Sequence, residues 1–343
     1  MAYPVQVSIV TDNIRWCGLA AGLALWAFGA VAGSSTVVLG YYSTDYPLSF
    51  EALTNYPALT AVSTDCFILN AAGDLTGDVP QNVLAYARSR KLAVYACVSN
   101  DNWDSKIVHR NITRRQAVLV AGLVQLVSTN GYAGVNIDFE GLNPADRAAF
   151  SGFIRALAAA LHGRGLQLVI SVPAETANDP ADTWSGAFDY ATLGQAADFL
   201  QMMTYDETVA GDDPGPVAGL DWMTRCVRYA VTQVPPAKLW LGLPAYARDW
   251  RVKTKRATEI DWAALPAFIR KHNGVLAWDA ASASGYFDYW ATDGKHAVWC
   301  ETAKGLQLKS AFVPQFHLGG ISFWALGMED GSFRQAVLAG LGN

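Results

Sequence analysis

Charge is scarce in these 343 residues: Asp, Glu, Lys and Arg make up 16% of the chain, and the formal net charge is −5. No basic run breaks that pattern, so nucleic-acid binding has no electrostatic support. Cysteine is sparse too. There are five, with no C-x-x-C pair and no histidine at ligand spacing, so neither a metal site nor a cofactor is expected. Cys66, Cys97, Cys226 and Cys300 either form disulfides, with three pairings open, or remain as buried thiols. The first candidate strand, 36–42, is not followed by a Gly-rich phosphate turn, which argues against a doubly wound dinucleotide fold. Internal repeats and low-complexity linkers are missing, and beyond the N-terminal region no segment is long and apolar enough to span a bilayer.

What the chain has is apolar and aromatic mass. Hydrophobic residues account for 52%, including 12 Trp and 14 Tyr, enough for one large core and too much for a disordered chain. Aromatic rings suit a core, and they also suit the faces of sugar rings. At the N-terminus, Arg15 precedes an apolar run, 16–32, that closes on Ala30-Val31-Ala32. That is the pattern of a secretory signal, so residues 1–32 are expected to direct the protein out of the cell or into its envelope, with cleavage after Ala32. Asp12 and the length of chain before Arg15 keep an uncleaved anchor as the alternative.

From residue 36 onward, short apolar runs alternate with helical patterns. Strands are expected at 36–42, 61–69, 92–98, 134–139, 167–172, 199–204, 239–245 and 320–326. They are continuous rather than alternating, as strands buried on both faces should be. Helices are expected at 114–129 and 145–162, the second with Asn143 as N-cap, Pro144 at the first position and Asp146 in the first turn. Eight strands alternating with helices predict an α/β fold, a closed (β/α)8 TIM barrel over 36–343. The link between the seventh and eighth strands, about 70 residues, far exceeds what a βα unit needs. It carries Trp250, Trp262, Trp278, Tyr286, Phe287, Tyr289, Trp290 and Trp299, and residues 250–318 read as a small α+β insertion. A monomer is expected.

The fourth strand carries the chemistry. In Gly134-Val135-Asn136-Ile137-Asp138-Phe139-Glu140, alternation puts Asn136, Asp138 and Glu140 on one face and the apolar residues on the other. The apolar set suits the helices, so the polar set climbs the barrel interior toward the C-terminal rim, where barrel active sites form. Two carboxylates that close in a dry pocket cannot both ionise easily, and the one that keeps its proton is equipped to act as a general acid. The bland alternative is a polar cluster that braces a strand end.

This strand resembles the D-G-x-D-x-D-x-E motif of glycoside hydrolase family 18, the chitinase family. Gln201-Met202-Met203-Thr204-Tyr205-Asp206 is similar to its sixth-strand M-x-Y-D motif. The segment from Gly319 to Asp330 resembles its last strand, with Trp324 at the floor of the sugar site. Gly40-Tyr41-Tyr42 and Leu243-Pro244-Ala245-Tyr246 add to the likeness, which extends over most of 36–340. Two positions depart: Ala133 and Asn136 stand where the family has its first and second Asp. An Asn at the latter is similar to bacterial members linked to spore cortex and peptidoglycan.

The resemblance implies a retaining, substrate-assisted hydrolysis of β-1,4-linked N-acetylglucosamine glycans, of peptidoglycan or chitin type. Glu140 is then the acid/base, Asp138 orients the acetamido group and Tyr205 bonds its carbonyl. Trp324 stacks under the ring, and Asn136, Met203, Asp206, Tyr41 and Tyr246 line the substrate site. The departures leave Asp138 without its usual carboxylate partners. A sugar-binding barrel without turnover is the competing reading; retention of Glu140 argues against it. A third reading, an aromatic rim that binds a partner, is compatible with either.

Overall fold

Strands buried on both faces need a neighbour on each edge and a helix layer outside, and a closed parallel barrel meets both demands. In the computed structural model, which describes residues 36–342, eight parallel strands do so: Val37–Ser43, Ala61–Leu69, Ala93–Asn100, Gly134–Asp138, Gln167–Pro173, Phe199–Met203, Leu239–Pro244 and Gly320–Trp324. Each boundary falls within two residues of its expected place. The first strand pairs with both the second and the eighth, closing the ring. A short strand, Leu75–Gly77, adds antiparallel to the second. The expected segment 1–32 lies outside the described residues.

Alternation along the fourth strand is as anticipated. Phe139 stacks on Phe153 of the helix Arg147–His162 with ring centroids 6.2 Å apart, whereas Asn136 bonds side chains across the interior. Asn143 accepts the Ala145 N–H at 2.9 Å, and Pro144–Asp146 forms a 3-10 turn that leads into the helix. The helix expected at 114–129 runs Gln116–Asn130, and a further helix not expected from the sequence, Ser105–Arg114, precedes it across a break at Arg115. No Gly or Pro marks the break. Arg115 reaches the carbonyls of Ala72 and Gly73 at 2.8 and 3.1 Å, a contact far away in sequence.

The long seventh connection holds a five-stranded antiparallel sheet, in the order Arg256–Asp261, Tyr246–Arg251, Gly294–Cys300, Ser284–Ala291, Ala277–Asp279. With the helix Leu265–Lys271 it closes a second small core around Ile260, Leu265, Phe287 and Val298. The helices Ala303–Ser310 and Phe312–Phe316 follow before the eighth strand. Cys66, Cys97, Cys226 and Cys300 are all free thiols.

An ion pair sits where this sheet hands over to the helix Ala303–Ser310. Lys309 Nζ lies 2.6 Å from both carboxylate oxygens of Glu301 and 3.3 Å from Ser284 Oγ, and both side chains are buried. Lys309→Met should therefore cost about 3–5 kcal/mol by stranding a buried carboxylate, while the double change Lys309→Met with Glu301→Leu should recover most of that loss. Urea denaturation of the two variants checks this; equal losses in both would refute it.

Candidate active site

The barrel interior is layered. At the bottom, Trp240 stacks on Phe199 with centroids 4.4 Å apart, and Tyr95 donates to Gln167 Oε1 at 2.7 Å. Above them lies a neutral polar floor. Asn136 Oδ1 accepts the hydroxyls of Tyr41 at 2.9 Å and Ser63 at 3.0 Å, while its Nδ2 donates to Ser171 Oγ at 3.0 Å and to the Ile137 carbonyl at 3.3 Å. Tyr41 also donates to Gln201 Oε1 at 3.2 Å, and Gln201 Nε2 donates to Ser322 Oγ at 3.0 Å. Six strands thus share one network whose members are buried. Tyr41 and Asn136 lie in this floor, one layer below the acids.

Asp138 and Glu140 stand on the floor. Asp138 Oδ1 is buried without a hydrogen-bond partner, and Oδ2 lies 4.0 Å from the Cys97 thiol. Burial raises the Asp138 pKa; Glu140 is raised further, by burial first and then by the charges of Asp138, Asp206 and Asp65. Glu140 is therefore the member of the pair that holds a proton near neutral pH. Its backbone is clamped on both sides by one amide: Glu140 N–H donates to Asn100 Oδ1 at 2.8 Å, and Asn100 Nδ2 donates to the Glu140 carbonyl at 3.0 Å.

The sixth strand ends at Met203, half-buried and in register with Pro173. Tyr205 follows, its pKa pushed well up by burial and then by Asp138 and Glu140, so its hydroxyl stays a donor. It packs against Gly242, where a Cβ would come within 2.9 Å of the ring and 2.4 Å of the Met202 carbonyl. Asp206, in a left-handed conformation with φ 62°, accepts the Tyr246 hydroxyl and pairs with Arg248 at 2.7 Å. Tyr246 is buried behind it, and Trp250 is wholly buried in the inserted sheet. Trp324, half-buried, lies between Tyr41 and Tyr46 at centroid distances of 5.5 and 6.2 Å.

Sequence reasoning passed over several neighbours of this site. Asn100, Cys97, Asp65 and Arg248 come from strands that look apolar or merely connective. Trp103 and Trp184 are rim residues, 59% and 43% exposed, with rings edge to face at 6.2 Å. Trp103 reaches the acid loop because Gly141, with φ 64°, leaves room: a Cβ there would lie 2.7 Å from the Trp103 carbonyl oxygen. Isolated tryptophans 81 positions apart gave no periodic signal, although both lie just beyond strand ends.

The chain is similar to known proteins. The model of the family "Glycosyl hydrolases family 18" matches residues 30–329. An uncharacterized glycosylase, YvbX, of Bacillus subtilis (strain 168) is 36% identical over 309 residues, 87% of this chain and 90% of that protein. A cortical fragment-lytic enzyme of Bacillus cereus is 27% identical over 256 residues, 72% of this chain and 59% of that protein. The crystal structure of a chitinase from Chromobacterium violaceum ATCC 12472 aligns with a TM-score of 0.86 and 41% identity, covering 90% of this chain and all of the other.

The floor makes a direct prediction. Asn136→Asp replaces the donor that faces the Ile137 carbonyl with a second acceptor, in a layer where no cation pairs with it among the described residues. The variant should lose about 1–3 kcal/mol at neutral pH. Because burial raises a carboxyl pKa, the loss should shrink as pH falls through that raised value. Denaturant titration at pH 7.5 and pH 5 measures both; a loss that grows on acidification would overturn the assignment.

Proposed function

This chain belongs to glycosyl hydrolase family 18, and from that premise we propose that it is an exported enzyme cleaving β-1,4-linked N-acetylglucosamine glycans of the peptidoglycan or chitin type, with the substrate's own acetamido group as nucleophile. The observation that carries this reading is the state of the acid pair: a Glu140 whose pKa is raised well above the usual carboxylate range beside an Asp138 with one buried, unpartnered oxygen. Two-carboxylate glycosidases set their groups about 5–10 Å apart on opposite sides of the scissile bond. Here the second carboxylate is buried at the end of the fourth strand, two residues before Glu140, which suits an acceptor for the acetamido N–H better than an attacking group.

The steps follow. Glu140 gives its proton to the glycosidic oxygen as the C1–O bond breaks. The acetamido oxygen attacks C1 and closes an oxazolinium ring, whose N–H is held by Asp138 and whose oxygen was positioned by the Tyr205 hydroxyl. Water then attacks C1, the Glu140 carboxylate takes its proton, and the ring reopens with retained configuration. Trp324 supports the distorted sugar, and the exposed Trp103–Trp184 pair offers a stacking surface beyond the cleavage point. Both the chitinase of C. violaceum and the cortical fragment-lytic enzyme of B. cereus carry names consistent with such glycans. Export rests on the 16–32 apolar run.

Reducing-end release from chitin oligosaccharides and from purified peptidoglycan strands separates the two polymers. Glu140→Gln should lower the rate about 10²–10⁴-fold with sugar binding retained. Sugar binding without release from either polymer by the wild type would replace the enzyme by a lectin. De-acetylated oligosaccharides should not turn over and a thiazoline analogue should inhibit; turnover of both substrates at one rate would falsify the acetamido nucleophile. Asn100→Ala, which frees the Glu140 backbone, should cost about 10–100-fold in kcat with KM little changed. A change confined to KM would assign Asn100 to binding instead.

A further inference from the structure

Asn136 removes a carboxylate from beneath Asp138, yet the site contains a third acid that the fourth strand does not supply. Asp65 lies on the second barrel strand, two residues beyond Ser63, whose hydroxyl bonds Asn136 inside the barrel. Alternation therefore turns Asp65 inward, one level above the floor. Its neighbour in register on the third strand is Cys97, the residue whose thiol approaches Asp138. Immediately after Asp65 the register shifts, a β-bulge of the kind that re-aims side chains at barrel rims.

Asp65 has no structural occupation that explains it. Among the described residues its carboxylate makes no ion pair, whereas Asp206, another acid that acts on Glu140, is held by Arg248 and Tyr246. The titratable groups that interact electrostatically with Asp65 are Asp45 from the loop after the first strand, the adjacent Cys66, Cys97 on the third strand, and Asp138 and Glu140 at the end of the fourth. None of them is a cation. Burial, then Asp138 and Asp45, raises the Asp65 pKa to about 7, while Glu140 is raised further still. Asp65 is thus ionised over the range in which Glu140 would lose its proton.

We propose that Asp65 is a positioning residue for the acid/base, a carboxylate from the second strand that stands in for the one replaced by Asn136 and holds the proton on Glu140 by like-charge repulsion. This inference rests on the reading of Glu140 as the general acid. The sign is fixed: without the Asp65 charge, Glu140 ionises at lower pH, and activity that needs its protonated form is lost earlier as pH rises.

The test compares wild type with Asp65→Asn and Asp65→Glu in kcat/KM against pH on an N-acetylglucosamine oligosaccharide. In Asp65→Asn the basic limb should move down by a few tenths of a pH unit, and Asp65→Glu should restore most of the shift. An unmoved limb overturns the proposal, even where the rate falls uniformly. A readout independent of turnover is the 13C-carboxyl titration of Glu140, assigned by its loss in Glu140→Gln. Its midpoint should fall in Asp65→Asn, and a fixed midpoint sinks the proposal. Wild type that hydrolyses nothing while the midpoint still moves would discard the hydrolase reading and keep the coupling. Asp65→Asn should melt no lower than wild type at pH 8, since it removes an unpaired, partly desolvated charge; a variant that fails to fold would make Asp65 structural and refute the inference.

Discussion

One neutral amide at the centre of the barrel governs what stands above it. Asn136 accepts two hydroxyls and donates twice, and through Tyr41, Ser63, Ser171 and Gln201 it ties the first, second, fifth, sixth and eighth strands to the fourth. Only an amide can do this. An aspartate would need protons where Asn136 supplies them, and a charge in that layer would need a counter-ion that the interior does not hold. Every lone pair and proton of the side chain is used, which makes the floor rigid and electrically quiet. The carboxylates above it feel burial and one another, and from the floor the Ser171 hydroxyl acts on Asp138 to lower its pKa.

The inserted sheet acts on this site through two residues of its first strand. That strand follows the seventh barrel strand after a single residue, Ala245, so Tyr246 and Arg248 emerge directly at the rim. Both engage Asp206, and Arg248 also bonds the Thr208 carbonyl at 2.7 Å, which pins the loop after the sixth strand. Register with Arg256–Asp261 brings Glu259 beside Arg248. At the far end of the insertion, the buried Lys309–Glu301 pair ties the sheet to the helix that follows. Shifting the sheet would therefore disturb the charge balance around Glu140 as well as the cleft wall.

How much of this was legible in the chain varies with physical cause. The eight strands were legible because a parallel strand covered on both faces must be apolar throughout, and few other elements of six or seven residues look alike. Asp138 and Glu140 stood out for the converse reason, as charges in an apolar run. Ser105–Arg114 was hidden, since its boundary depends on Arg115 reaching a loop some forty positions earlier. Asp206 entered as a substrate-site residue through the family resemblance, and the position of Arg248 on an inserted strand shows that it is also braced. Asp65 sits in Ala-Val-Ser-Thr-Asp-Cys-Phe-Ile-Leu, where polar residues on both faces obscure the alternation and a bulge interrupts it. Which way such a residue points is a property of the closed barrel.

A general acid can be kept protonated from below, by a proton shared along a column of carboxylates, or from the side, by burial and repulsion. The two arrangements make different demands on the floor. A column places charge in the deepest layer and so requires that protons move together there, whereas lateral repulsion leaves that layer free for neutral hydrogen bonds. Of the acids around Glu140, Asp206 is largely offset by Arg248, and Asp138 shares its strand and its burial. Asp65, like Asp138, has no counter-charge among the described residues, so no cation offsets its field at Glu140. On the proposed role of Asp65, an amide at position 136 is no defect in the catalytic strand. It is the floor that a site charged from the side requires.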